Sequence, residues 1–210
     1  MLEKIENYAI SISDDEDFVL KELTRKTNLT VLMPRMLSGH LQGKLLEFIS
    51  KIMQPKKILE IGTFTGYSTV CFSKGLADGG TITTIEINIE LETIISEFLQ
   101  KAKIENKVNL IFGDALEIIP GLGNDFDLVF LDADKRYYLK YYKLIIDKIK
   151  KGGIILADNI FWSGKVLEKV EKNDLYTKGI LEFNEFIKND NRVEKFALPI
   201  RDGLYVIRKK

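Results

Sequence analysis

One cysteine and one histidine are all that this 210-residue chain holds of the two residue types that build most zinc sites. Cys71 has no partner for an internal disulfide, and a Cys-rich zinc centre is excluded. A lone His40 excludes a His-cluster site, so any metal must be held mainly by oxygen, which suits Mg²⁺, Ca²⁺ or Mn²⁺. Charge of neither sign is in excess: 31 Lys and Arg balance 31 Asp and Glu. The electrostatic footprint of a nucleic-acid or membrane-surface protein is therefore missing. No apolar run approaches the length of a membrane span. Met1-Leu-Glu-Lys-Ile-Glu6 has no apolar signal core, so the expected location is the cytoplasm. Repeats, low-complexity tracts and flexible linkers are also absent. The chain reads as one domain, 1–210, long enough to bury a sizeable core.

What is present is an alternation. Apolar strands at 58–61, 81–87, 108–112, 126–131 and 153–156 are separated by helical patterns at 67–76, 89–103, 115–119, 137–149 and 173–188. Such alternation predicts an α/β fold, a parallel sheet with helices on both faces. The last two strands, 192–198 and 204–208, are joined through Asp202-Gly203, a tight turn that makes an antiparallel hairpin. Ahead of the core lie N-terminal helices. One covers 3–10. Another is capped by a box, Ser13 with Glu16, and runs to about Thr27. A third spans 39–53, with Leu41, Leu45, Phe48, Ile49 and Ile52 on its expected buried face.

The turn after the first strand, Ile58-Leu-Glu-Ile-Gly-Thr-Phe-Thr-Gly-Tyr-Ser68, reads as a nucleotide-binding turn. Gly62 and Gly66 let the backbone approach a ligand, and a helix start follows. It lacks the third glycine of G-x-G-x-x-G and any Lys-Ser or Lys-Thr pair, which sets aside the dinucleotide fingerprint and the P-loop. Ligands of open α/β sheets bind at the carboxyl ends of the strands. Every strand of the parallel run here has an acidic residue there: Glu60, Glu86, Asp114, Asp132 with Asp134, and Asp158 beside Asn159. Glu86, about 20 residues past the turn, stands where nucleotide folds place a ribose acceptor. Glu60 inside an apolar strand needs a local role, orienting the glycine loop or meeting a cationic ligand. Asp114 is as readily a helix cap as a ligand contact. Asp132, Asp158 and Asn159 form a hard oxygen set suited to a divalent cation, although Asp158-Asn159 also fits a turn. Lys135, taken alone, is a solvated lysine; beside a cation it becomes a base. Phe161-Trp162 is a candidate aromatic substrate wall, whereas Tyr137, Tyr138, Tyr141, Tyr142 and Cys71 read as packing and His40 as a surface or capping residue.

This ordered set resembles the class I S-adenosylmethionine-dependent methyltransferases. More narrowly it is similar to the metal-dependent O-methyltransferases of the caffeoyl-CoA and catechol type, in their short bacterial form. The resemblance rests on Met36-Leu-Ser-Gly-His-Leu-Gln-Gly43, Glu60 to Ser68, Glu86, Gly113-Asp-Ala115, Leu131-Asp-Ala-Asp-Lys135, Asp158-Asn159 and Trp162-Ser-Gly164. It implies a Rossmann-like seven-stranded sheet of order 3-2-1-4-5-7-6 with strand 7 antiparallel. Residues 54–210 would form the core, and 1–53 the helices of a lid and dimer region. It implies S-adenosylmethionine at Ser38, Glu60, Gly62, Thr63, Ser68, Glu86, Asp114, Ala115, Asp132 and Asp134. It places a divalent cation, usually Mg²⁺, on Asp132, Asp158 and Asn159. Met36, Lys135, Trp162 and Ser163 would meet the substrate, with Lys135 and Asp132 catalytic. Ser163 stands where plant members carry asparagine, which points away from a CoA thioester as acceptor.

The implied reaction is methyl transfer to one hydroxyl of a vicinal dihydroxy aromatic by a homodimer. Three rivals are a tRNA hydroxyuridine O-methyltransferase, against which the zero net charge argues, a nicotinamide-dependent oxidoreductase, against which the missing glycine argues, and a non-catalytic module.

Overall fold

The computed structural model describes residues 2–210. Seven strands form one sheet: β1 Lys57–Ile61, β2 Thr81–Glu86, β3 Val108–Phe112, β4 Phe126–Leu131, β5 Ile149–Asp158, β6 Val193–Leu198 and β7 Leu204–Lys209. Their order is β3-β2-β1-β4-β5-β7-β6. The first five pair in parallel, and β7 runs antiparallel to both β5 and β6. This is the expected topology, terminal hairpin included. The helices are α1 Leu2–Ser11, α2 Phe18–Thr30, α3 Gly39–Met53, α4 Tyr67–Ser73, α5 Glu92–Lys101, α6 Ala115–Gly121, α7 Tyr138–Ile145 and α8 Leu175–Asn189. None among the described residues is long and apolar enough to cross a membrane.

Strand alternation divides the core in two. Ile58, Leu128, Phe130 and Leu156 pack on one face with Phe72, Ile95 and Phe98. Their neighbours Leu59, Val129, Leu131 and Ala157 pack on the other with Tyr138, Tyr142, Ile180 and Phe183. Both faces are covered, which is why these strands read as continuous apolar runs. Tyr138 and Tyr142 meet Phe183 edge to face. Cys71 is wholly buried, and burial pushes its thiol up.

Two local expectations are corrected. Ser13 and Glu16 do not form a capping box. The second helix starts at Phe18, capped by Asp17, whose carboxylate accepts the Val19 N–H at 2.8 Å. Ser13 donates back to Ala9 O, and Glu16 accepts from the Tyr67 hydroxyl at 2.5 Å. Asp17 also pairs with Lys74 at 3.2 Å. Tertiary partners on and beside α4 thus decide where this helix begins.

The second correction is the face of α3. Its buried residues are Gln42, Gly43, Leu46, Glu47 and Ser50, whereas Phe48 is 51% and Ile52 80% exposed. The reason is close approach to α4. A Cβ on Gly43 would crowd the Tyr67 ring at 2.7 Å. Ser50 donates to Phe72 O at 2.6 Å, and Glu47 lies among Lys44, Lys51 and Lys74. Leu45 and Ile49 of the expected stripe do pack against the core beside Leu46, but the closest approach to α4 is made by small and polar side chains.

Candidate active site

The sheet order reverses between β1 and β4, and the polar residues gather at the carboxyl ends beside that point. Gly62 ends β1 with φ +97° and donates its N–H to Ile85 O at 3.0 Å. A Cβ there would lie far inside van der Waals contact of the Asp132 carbonyl oxygen. Only glycine lets the ends of β1 and β4 come this close.

Glu60 is 0% exposed. Its carboxylate accepts from Ser68 at 2.6 Å, Thr84 at 2.6 Å and Thr69. Thr63 Oγ1 lies 2.5 Å from Thr84 Oγ1 and donates to it, since the Thr84 proton is already committed. One buried carboxyl group thus ties the glycine loop, α4 and β2 together. Burial pushes it up to about 7, against the three hydroxyl donors. Glu86, also buried, accepts from Phe64 N at 2.7 Å and Asn88 N at 2.9 Å. Burial raises its carboxyl despite those amides.

On the other side Leu131 pairs with Ala157, so Asp132 and Asp158 leave adjacent strands at one level. The Tyr138 hydroxyl bridges these ends, sharing its proton between Leu131 O at 3.1 Å and Asp158 O at 3.0 Å. Lys135 is 7% exposed and donates to Asp132 Oδ1 at 2.6 Å, so it is not a solvated surface lysine. Asp158 is buried, and burial together with the Asp132 charge holds its carboxyl above the ordinary range. Asp158 Oδ1 accepts the Asn159 N–H at 2.8 Å, and Oδ2 accepts from Gln42 at 2.6 Å. No group of three or more His, Cys, Asp or Glu gathers for a metal among the described residues. The oxygen set has two carboxylates on adjacent strand ends, with Asn159 next in the chain, and such hard oxygens suit a hard cation.

The loop after β5 is held in an unusual backbone: Asn159, Trp162 and Ser163 all have positive φ. The hairpin turn between β6 and β7 anchors it. Asp202 Oδ1 accepts the Ser163 N–H at 2.6 Å, and Asp202 O accepts the Phe161 N–H at 3.0 Å. From the same turn Arg201 donates to Leu37 O at 2.8 Å and to Ser38 O. Trp162 stacks on Tyr176 with ring centroids 5.8 Å apart.

A family model described as O-methyltransferase matches residues 10–210. The chain belongs to the O-methyltransferase family. It is a class I, S-adenosylmethionine-dependent enzyme of that family. Caffeoyl-CoA O-methyltransferase of Stellaria longipes is 34% identical over 219 residues, covering 99% of this chain and 90% of the relative. Caffeoyl-CoA O-methyltransferase 1 of Eucalyptus globulus is 34% identical over 200 residues, covering 90% and 80%. Among solved structures, the Bacillus cereus O-methyltransferase in complex with SAH superposes with a TM-score of 0.89 at 28% identity, covering 100% of both chains. TomG of Streptomyces achromogenes, in complex with SAM, gives 0.90 at 25% identity, covering 99% of this chain and 96% of its own.

In this methyltransferase Glu60, Gly62, Thr63, Ser68, Glu86 and Ala115 lie in or beside the loops at the ends of β1, β2 and β3, Ser38 precedes α3 with its carbonyl accepting from Arg201, and all but Gly62 are buried. Asp114 caps α6 by accepting the Leu116 N–H at 2.8 Å. Asp134 accepts from the Arg136 guanidinium at 2.9 Å, which, against the pull of burial, holds its carboxyl below the ordinary range. Met36 and Ser163 are exposed. His40 packs its ring nitrogen 2.9 Å from Asp14 O, away from the strand ends. Sequence reasoning missed Gln42, Thr69, Thr84, Tyr138 and the Arg201-Asp202 turn. The one available signal was the polar stripe Gln42, Glu47 and Ser50 on the helix whose apolar stripe was read instead. A groove of about 740 Å³ between α7 and α8 lies elsewhere, and its Asp190 is already paired with Arg192 and Tyr142.

Glu60 carries a pH prediction. The native state holds its proton more firmly than the unfolded chain does. Stability from this group is therefore complete below about pH 4.5 and lost as pH rises through about 7. The loss is about 3 kcal/mol at roughly 1.4 kcal/mol per pH unit. Urea unfolding at pH 5 and pH 8 should show a smaller drop in Glu60→Gln than in the wild type. An equal drop in both would assign the pH dependence to other groups.

Proposed function

We propose that this enzyme transfers the methyl group of S-adenosylmethionine to one hydroxyl of a vicinal dihydroxy aromatic small molecule, with a divalent cation, Mg²⁺ first, beside the acceptor. The observation that carries the reading is the pairing of Asp132 and Asp158 on adjacent strand ends, with Lys135 held on Asp132. The curated relatives are named for caffeoyl-CoA, whose caffeoyl ring is a vicinal diol.

In this reading Ser38, Glu60, Gly62, Thr63, Ser68, Glu86, Asp114, Ala115, Asp132 and Asp134 serve the methyl donor, with Glu86 at the ribose. Glu60 acts through the hydroxyls it fixes. Asp132, Asp158 and Asn159 would hold the cation. When bound, a cation supplies Lewis acidity, favouring the ionised form of a hydroxyl next to it. Lys135 Nζ, once it has passed its own extra proton to Asp132 or solvent, takes up the acceptor proton. Trp162, backed by Tyr176, walls the ring, with Met36 and Ser163 at its edge. An acceptor oxygen then forms its bond to the methyl carbon as the sulfur–carbon bond breaks and the sulfonium becomes a thioether. Most of the rate comes from holding the two reactants in line.

The test is an activity screen with S-adenosylmethionine, a catechol panel and a hydroxylated-nucleoside panel, each with and without Mg²⁺. Catechol turnover that collapses in chelator supports the reading. Turnover confined to nucleosides, or unaffected by chelator, overturns it.

The same reading makes the N-terminal helices a lid and a self-association face. Phe48 and Ile52 support it as an outward apolar stripe on α3, with Ile5, Tyr8 and Ile12 exposed on and just after α1. Outward apolar side chains of this kind on neighbouring helices fit an interface. Phe48→Ser with Ile52→Ser should convert a dimer to a monomer in light scattering at micromolar concentration. A wild-type chain that is already monomeric there would remove the idea.

A further inference from the structure

Gln42 reaches from α3 into the acidic strand ends and is 0% exposed. Its Nε2 donates to Asp158 Oδ2 at 2.6 Å. The orientation of the amide follows from charge, because an ionised carboxylate can only accept and so faces the NH₂ group. That leaves Gln42 Oε1 buried with no hydrogen-bond partner. Buried carbonyl oxygens are rarely left this way. A leucine would fill similar space on a helix face that already holds Leu46, and would bring no orphan. The unpaired oxygen instead sits on the side chain that holds the Asp158 carboxylate, one of the two carboxylates at the paired strand ends.

We propose that Gln42 is a positioning residue for the divalent cation. Its N–H group fixes the Asp158 carboxylate, and Oε1 accepts a hydrogen bond from a hydration water of the ion. This rests on the cation reading given above. Partners behind a ligand set its orientation and its basicity, and their loss typically weakens binding 10- to 100-fold. Gln42 also belongs to α3, so the N-terminal helices and the strand ends are joined through the cation site. The other buried positions of α3 are Gly43, Leu46, Glu47 and Ser50, and none of their contacts requires an amide here.

The experiment uses the full chain and Mn²⁺ alone as probe, with free Mn²⁺ counted by electron paramagnetic resonance and SAH affinity measured in parallel by calorimetry. Gln42→Leu should weaken Mn²⁺ binding about 10- to 100-fold and leave SAH affinity within about twofold. Gln42→Glu at pH 8 should tighten Mn²⁺ binding at least about threefold, because it sets a third carboxylate beside the ion. Opposite shifts in the two variants are a signature that a purely packing residue does not produce. The glutamate variant also serves if the leucine variant does not fold. Mn²⁺ affinities within about twofold of wild type in the folded variants, with binding lost in Asp158→Ala, would overturn the role of Gln42 while leaving the cation reading intact. Wild type and Asp158→Ala binding Mn²⁺ equally would overturn the cation reading itself, and Gln42's role with it.

Discussion

Asp132→Ala is expected to lower turnover about a thousandfold, a larger loss than any it causes in SAH affinity. A bound cation contributes several kcal/mol to stabilising developing charge, and about 4 kcal/mol corresponds to three powers of ten. Asp132 is one of the two carboxylates at the paired strand ends, and it also holds Lys135 at 2.6 Å. Its removal therefore takes away a cation ligand and frees the base from its place. Part of the effect will be on folding, because Lys135 is buried and loses its ion-pair partner. The Asp132 side chain is 21% exposed, so solvent softens that cost, to on the order of 2 kcal/mol. Asp132→Asn separates the two effects: it keeps the shape and drops the charge, and should lose nearly as much activity with less loss of stability. Steady-state kinetics on a catechol acceptor, with circular dichroism for folding, are the measurements. Full activity of either variant, or of wild type in excess chelator, would remove the cation from the mechanism.

Gly62→Ala should be the most damaging single methyl group in the glycine turn. Its backbone sits at φ +97°, where a side chain costs roughly 1–2 kcal/mol. The new Cβ would also overlap the Asp132 carbonyl oxygen, which belongs to another strand's backbone and cannot rotate away. Overpacking of this kind adds about 1–3 kcal/mol. Together these lower Tm by roughly 10 °C in a chain of this size, and cofactor affinity is expected to fall at least about a hundredfold as the ends of β1 and β4 part. Gly79→Ala is the control. Gly79 also has positive φ, +70°, but a Cβ there meets nothing within 4 Å. Calorimetry should show Gly79→Ala losing only the backbone part. Equal losses at the two positions would mean that close strand approach is not why Gly62 is glycine.

Much of the architecture was legible because it follows from local pattern. Strands such as Val108–Phe112 and Phe126–Leu131 are apolar runs bounded by turn residues, and both were placed to the residue. The acidic strand ends were equally legible, since side-chain position after a strand is set by covalent connectivity. Boundaries slipped where tertiary contacts intervene. The helix expected over 137–149 gives way at Ile145, and β5 starts at Ile149, because Ile149 pairs with Phe126 ahead of the bulge between Phe126 and Leu128. Glu60 shows the limit inside the site. Its oddity in an apolar strand was visible, but its hydroxyl partners come from α4 and β2.

By itself the sequence determined the order of strands and helices, the glycine turn and the carboxylate at each strand end, because period, glycine placement and chain connectivity are local properties. It also excluded soft-metal and disulfide chemistry by what it lacks. Only the tertiary structure decided which face of α3 points inward. Hydrophobic periodicity chose Leu41, Leu45, Phe48, Ile49 and Ile52; Leu45 and Ile49 do pack against the core, but the fully buried positions are Gln42, Gly43, Leu46, Glu47 and Ser50, where α4 comes close. That rotation carries Gln42 to Asp158 and Phe48 and Ile52 to solvent. A helix's pattern shows that it has two faces, while what packs against it decides which one is buried.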